Sequence, residues 1–199
     1  MLVNEHAGLA DIDDYELPYR ELPGMSAGLL KNHFALYRGY RNRLADIVSP
    51  FEDAVYKEDV WTTARLAREI GFLRNAIALH ELYFENMTPG GRGKLSDVIP
   101  FEFVNRWAKK FRLLGKASTG WVVLAYDRAD GALVDFTMND HGQGFIADTI
   151  PILVMDVYEH AYMPDYGLDK NAYIDAFFRN IDWDVVRERL KAARGNRRP

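Results

Sequence analysis

Between Leu29 and Ile47 the chain repeats one face every three or four residues: Leu29, His33, Leu36, Tyr40, Leu44 and Ile47. This is the period of an amphipathic helix, with Ser26 as its N-cap, running to about Val48, where Ser49-Pro50 breaks it. A second face, Leu66, Ile70, Leu73, Ile77, His80 and Phe84, predicts a helix over roughly Glu58 to Met87. Two long amphipathic helices with a modest connection form an antiparallel hairpin. Ahead of them residues 1–25, acidic and punctuated by Pro18, Pro23 and Gly24, read as an extended arm. Thr88-Pro89-Gly90-Gly91 marks a boundary, dividing the chain into an arm and helical hairpin over 1–89 and an α/β domain over 90–199.

Beyond that boundary the period changes. Ser96 and Pro100 open a third helix through "FEFVNRWAKKFRLLG". "WVVLAYD" and "ALVDFTM" then flank the turn "RADG", a hairpin signal, and "PILVMD" follows as a third strand. "NAYIDAFF" and "WDVVRERLKAA" return to helix. The fold class is α+β: an N-terminal antiparallel helical hairpin packed on a C-terminal α/β lobe with a three-stranded antiparallel sheet.

Composition narrows the chemistry. A net charge of −4 and no basic cluster with aromatic stacking platforms argue against nucleic acid, and the tail "RERLKAARGNRRP" reads as a solvated helix end. The absence of cysteine excludes disulfides, thiolate catalysis, iron–sulfur clusters and cysteine zinc sites. No window reaches the roughly eighteen apolar residues of a membrane span, and the N-terminus has no apolar leader-type region. These features fit a reducing cytoplasm.

The five histidines carry the functional signal. His33 and His80 interrupt the two apolar helix faces, and Asp156 ends an apolar strand with His160 four residues later. A buried carboxylate needs a cation, and two buried imidazoles need partners for their ring nitrogens. Taken singly, each is explained by a core histidine bonded to a carbonyl, or by an Asp–His hydrogen bond. Taken together, three imidazoles and one carboxylate around one ion satisfy every group, and such donors suit iron, manganese or zinc.

The segment "DVYEHAYMPDYG" resembles the D-x-W-E-H-A-Y-x-x-D-Y-G signature of the iron/manganese superoxide dismutases. The resemblance extends to "LPYRELPGMS", "NHFALYRGYRNRL", "HELYFEN", "TGWVVLAYD" and "AYIDAFFRNIDWDVV", nearly the whole chain. It implies a metal site made by His33, His80, Asp156 and His160, with one iron or manganese ion per subunit. By the same resemblance Tyr40 gates the substrate channel and Trp121 walls the pocket, with Phe84 and Tyr158 where tryptophans are usual. Glu159 reaches the other subunit's metal-ligand histidine across a two-fold axis, which implies a homodimer, or a tetramer built from it.

Several positions depart from the family pattern. The gate tyrosine commonly stands eight residues after the first ligand, which would make Asn32 the ligand; His33, seven before Tyr40, is chosen because it shares the apolar face. Leu36 or Tyr37 and Met163 replace a histidine and tyrosine that pair across the dimer. Ala76 stands where iron-type members carry the glutamine that bonds the solvent on the metal, so His141, with Gln143 behind it, is expected in that role. Lys170 takes the place of a channel-mouth arginine, with Arg38 or Arg41 as further cations that could attract an anion. His6, in the arm, is given no role.

The implied activity is dismutation of superoxide to dioxygen and hydrogen peroxide. The alternatives weighed beside it are a non-haem iron oxygenase, a metal-dependent hydrolase and a catalytically inactive structural relative of the family.

Overall fold

The computed structural model describes residues 16–195. The acidic part of the arm ahead of residue 16, His6 included, and the last four residues of the basic tail lie outside the described residues. The first helix, α1 (Ala27–Tyr56), opens at Ser26, whose hydroxyl oxygen accepts from the Leu29 N–H at 3.0 Å. The same serine donates from its backbone N–H and its hydroxyl to the Asp165 carboxylate at 2.6 and 2.7 Å, fixing where the helix starts. The break expected at Ser49-Pro50 does not occur, and α1 runs through Pro50 to Tyr56. Proline removes one N–H from the ladder. Asp46, four residues earlier and the residue whose carbonyl loses that partner, is exposed, while buried Ile47 and Ala54 keep the flanking turns packed.

The turn is short. Glu58 takes a left-handed φ of 53°, and Asp59 caps α2 (Val60–Glu85) by accepting from the Thr62 N–H at 3.0 Å. The two helices pack side by side as an antiparallel pair, with a small core of Leu44, Ile47, Leu66 and Leu73 towards the turn. The buried face of α1 departs from the expected one: Leu36 and Tyr40 are only half-buried, while Leu30 and Tyr37 are buried. The Tyr37 hydroxyl explains that residue's burial: it donates to Glu81 Oε1 of α2 at 2.6 Å, so the ring can be buried with its polar end satisfied.

The third helix starts later than expected. Single 3-10 turns over Leu95–Asp97 and Phe101–Phe103 precede α3 (Val104–Ala117). The sheet has the order β2-β1-β3, with β1 (Trp121–Asp127) between β2 (Leu133–Met138) and β3 (Thr149–Asp156), both antiparallel to it. Leu124 faces Leu153 and Ala125 faces Pro151, so the register skips Ile152, a bulge next to the one β3 residue that cannot donate to the ladder. The register also places Trp121, the first residue of β1, opposite Asp156, the last of β3. Three helices follow: α4 (Glu159–Tyr166), α5 (Lys170–Asn180) and α6 (Trp183–Gly195). No helix among the described residues is long and apolar enough to cross a membrane.

One main core joins the hairpin to the sheet and its helices. Asn86, fully buried at the end of α2, is its clamp. Its Oδ1 accepts from the Val154 N–H of β3 at 2.8 Å, and its Nδ2 donates to the Tyr83 carbonyl at 2.9 Å. Asn86→Ala leaves these buried backbone groups without partners, and we expect a loss of about 1–3 kcal/mol of stability. Chemical denaturation checks this; a midpoint equal to the parent's would contradict the clamp.

Candidate metal centre

Four elements deliver one side chain each. His33 comes from the second turn of α1, His80 from the last turns of α2, Asp156 from the end of β3 and His160 from the first turn of α4. Their ligand atoms lie within 4.8 Å of one another. Two ligands on opposite sides of one ion at about 2.1 Å stand roughly 4.2 Å apart, so a modest contraction suffices.

The imidazoles aim one way. The Nε2 atoms of His33, His160 and His80 lie 3.1, 3.2 and 3.7 Å from Asp156 Oδ2. His80 Nδ1 is 2.6 Å from the Ala76 carbonyl, which can only accept, so the ring proton is on Nδ1 and the Nε2 lone pair faces the cluster. That Nε2 is buried and has no hydrogen-bond partner. A lone pair held this way, with two further imidazoles and a carboxylate around it, fits a cation of the kind nitrogen and oxygen donors bind. The carboxylate is itself fixed: Asp156 Oδ1 accepts from the Tyr158 N–H at 2.9 Å, and its carbonyl accepts from the Tyr173 hydroxyl at 2.5 Å.

Charge states follow from burial and from Asp156. Burial pushes the His33 imidazole down, and burial with neighbouring His33 pushes His80 down to about 3. Both are therefore neutral near pH 7. Burial would also lower His160, but the Asp156 charge and hydrogen bond outweigh it and leave His160 raised. Burial would likewise raise Asp156, but His160 and His33 hold it well below the usual carboxylate range. The centre is thus a buried anion facing imidazoles.

Aromatic rings enclose it. Tyr83, Phe84 and His160 ring centroids lie 5.2, 5.1 and 4.8 Å from that of His33. Trp121 meets His80 edge-on at 4.9 Å, and Tyr158 stacks on His160 at 5.2 Å. His141, 2% exposed, stands behind this wall: Trp121 Nε1 donates to its Nδ1 at 2.9 Å, and its Nε2 is 3.2 Å from Tyr40 Oη. Gln143, the other residue considered for that place, is exposed. Lys170 is half-buried beside Tyr162, its Nζ donating to the Ser118 carbonyl at 2.7 Å. Glu159 is exposed at the start of α4.

The sequence reading missed several supports. Asn75 Nδ2 donates to the His141 carbonyl at 2.7 Å, and Phe72 meets the His141 ring edge-on at 4.8 Å. Tyr83 follows His80 by three residues, which puts both on one helix face and was the available signal. Tyr37, one of the two residues considered for the place of the cross-subunit histidine, bonds within its own chain to Glu81 and also accepts from Arg41 at 3.1 Å.

Comparison with known proteins agrees with this geometry. Residues 92–189 match the model of the iron/manganese superoxide dismutases, C-terminal domain. An iron superoxide dismutase of Cupriavidus metallidurans is 37% identical over 182 residues, covering 87% of this chain and 92% of the relative. A manganese superoxide dismutase of Halobacterium salinarum is 31% identical over 92% of this chain and 98% of its own length. An iron superoxide dismutase of Aquifex pyrophilus is 34% identical over 87% and 88%. With similarity of this extent reaching across both the helical pair and the sheet, the chain belongs to the iron/manganese superoxide dismutase family.

Proposed function

We propose that this protein dismutates superoxide, using one iron or manganese ion per chain held by Nε2 of His33, His80 and His160 and by Oδ2 of Asp156. The observation that carries the reading is the convergence of three imidazole nitrogens on one buried carboxylate oxygen, with His80 Nε2 otherwise unpartnered. Such an ion supplies reversible one-electron chemistry, through which one superoxide is oxidised to dioxygen and another, with two protons, is reduced to hydrogen peroxide. Three histidines and an aspartate leave less room for an organic substrate than the two histidines and one carboxylate of non-haem iron oxygenases, which disfavours that alternative.

The chain's own groups bind, hold protons and exclude water. Burial and the Asp156 charge raise Tyr40, so its hydroxyl keeps its proton near neutrality and can donate it. Burial lowers His141 to about 4, so it is a neutral hydrogen-bond donor at the back of the pocket. We assign it the place that a glutamine holds in the family pattern. Phe84, Trp121 and Tyr158 keep bulk water from the ligand rings. On a chain with a net charge of −4, attraction of an anionic substrate is local, and Lys170 supplies it; Arg41 is engaged with Tyr37.

Further parts of the same reading are a homodimer, or a tetramer built from it, with Glu159 reaching the partner's metal site, a division of the chain at residues 89 and 90, and a cytoplasmic location suited to a cysteine-free sequence. The experiment is superoxide decay after pulse radiolysis, on protein loaded separately with iron and with manganese. We expect fast decay with at least one metal and one hydrogen peroxide for every two superoxides. No acceleration with either would overturn the proposal.

Metal uptake should depend on pH through His160. His33 and His80 are lowered, so they are already unprotonated near neutrality, whereas the raised His160 carries a proton until the pH exceeds its shifted pKa. Below that pH one proton must leave for each ion bound. The apparent affinity should therefore fall about tenfold per pH unit on acidification and flatten above it. Competition with a chelator, corrected for the chelator's own protonation, measures this; a flat profile on the acid side would contradict it.

A further inference from the structure

Helix α3 carries charge of one sign. Over Val104–Ala117 it holds Arg106, Lys109, Lys110, Arg112 and Lys116 and no acid, on a chain whose net charge is −4. Two of these cations are engaged within the fold. Lys110 pairs with Asp135, and Arg112 pairs with Asp175 and lies over the Phe178 ring at 3.9 Å. Arg106, Lys109 and Lys116 are exposed and form no ion pair among the described residues. With Leu113 they succeed one another at steps of three, four and three, which is one face of the helix. The opposite face, Trp107, Phe111 and Gly115, is buried, and a Cβ on Gly115 would stand 2.6 Å from Met155 Cε. So close a seat holds the outward face as a fixed surface, with Leu113, 53% exposed, among its cations. At the start of the helix Phe101 and Phe103 are 85% and 51% exposed, and Glu102 between them is the one acid from 101 to 117.

We infer that this face of α3, together with Phe101 and Phe103, is a docking surface for an anionic lipid bilayer, on which the folded protein lies without crossing it. The cations meet the headgroups, and the two phenylalanines and Leu113 enter the apolar boundary beneath them; attraction and buried apolar area then add. Other occupants fit less well. A second copy packed here across a two-fold axis would set Arg106, Lys109 and Lys116 against the same three cations. A nucleic-acid strand needs rings on which its bases stack, and the side chain among the cations is Leu113, which offers none. The inference does not rest on the dismutase reading, since none of these residues belongs to the metal centre.

The test is co-sedimentation of the metal-loaded protein with vesicles of phosphatidylglycerol and phosphatidylcholine in equal parts, and with vesicles of phosphatidylcholine alone. We expect partitioning onto the mixed vesicles only, weakening as salt is added. Replacing Arg106, Lys109 and Lys116 together with glutamine should lower it about 100-fold, at about fivefold for each cation. Phe101→Ser combined with Leu113→Gln keeps every charge and should lower it about tenfold or more. Lys109→Arg with Lys116→Arg should leave it at the parent's level. Each substituted side chain is exposed, so the variants keep the parent's fold. No partitioning at low salt, equal partitioning onto phosphatidylcholine alone, or an undiminished glutamine variant would each overturn the inference. So would tighter binding to a single-stranded RNA oligonucleotide than to the mixed vesicles, or an undiminished Phe101→Ser, Leu113→Gln variant, which would leave only a general attraction for polyanions.

Discussion

Replacing Asp156 with alanine should strip the metal from the protein and lower superoxide turnover by more than about 100-fold, beyond the 10- to 100-fold typical of groups that only support a ligand. Asp156 is fully buried, and all three imidazole Nε2 atoms face its Oδ2. Without it the site offers an incoming cation only neutral or positive groups in a dry environment. Asp156→Asn keeps the volume but not the charge and should fail for the same reason. The change also removes from His160 the charge and hydrogen bond of Asp156 that raise it, leaving burial opposed only by Glu159. Elemental analysis and a superoxide assay on the same preparation check the prediction. Metal content at the parent's level in the alanine variant would mean that the ligand set is wrong.

Glu159→Ala should weaken metal retention and self-association together. Glu159 adjoins His160, and its carboxylate helps to raise His160 and Tyr158 and to hold the Lys170 ammonium charged against burial. Its exposure in one chain fits a side chain that works on a second copy, where a carboxylate bonded to a ligand imidazole fixes the ring and strengthens the ligand. We expect metal affinity to fall by about 10- to 100-fold, with dissociation seen by sedimentation velocity at concentrations where the parent stays associated. A variant with full metal content and unaltered association would reject the role.

The features readable from sequence were those written in local spacing. The step pattern of α1 and α2, the two strands around "RADG" and the four-residue interval from Asp156 to His160 each follow from the geometry of one element. The features missed depend on what lies across space. Nothing near Pro50 reveals that Ile47 and Ala54, on either side of it, are both buried, which keeps the turns around the proline packed. Leu36 looks more apolar than Tyr37, yet Tyr37 is buried because Glu81, on the other helix, takes its hydroxyl. The helix α4, with Pro164 inside it and Gly167 at its end, was given no element from the sequence. Around the centre, the four converging residues were picked out by a motif and two helix stripes, whereas the surroundings of His141 come from α1, α2, β1 and the segment after β3, which no spacing in the sequence relates.

The most direct test of the central claim is anomalous X-ray diffraction, collected on either side of the iron and manganese absorption edges, from crystals of protein produced with both metals supplied. The account predicts one anomalous peak per chain at the iron or the manganese edge, bounded by Nε2 of His33, His80 and His160 and by Asp156 Oδ2. A peak only at the zinc edge, or no peak among these four atoms, would contradict it.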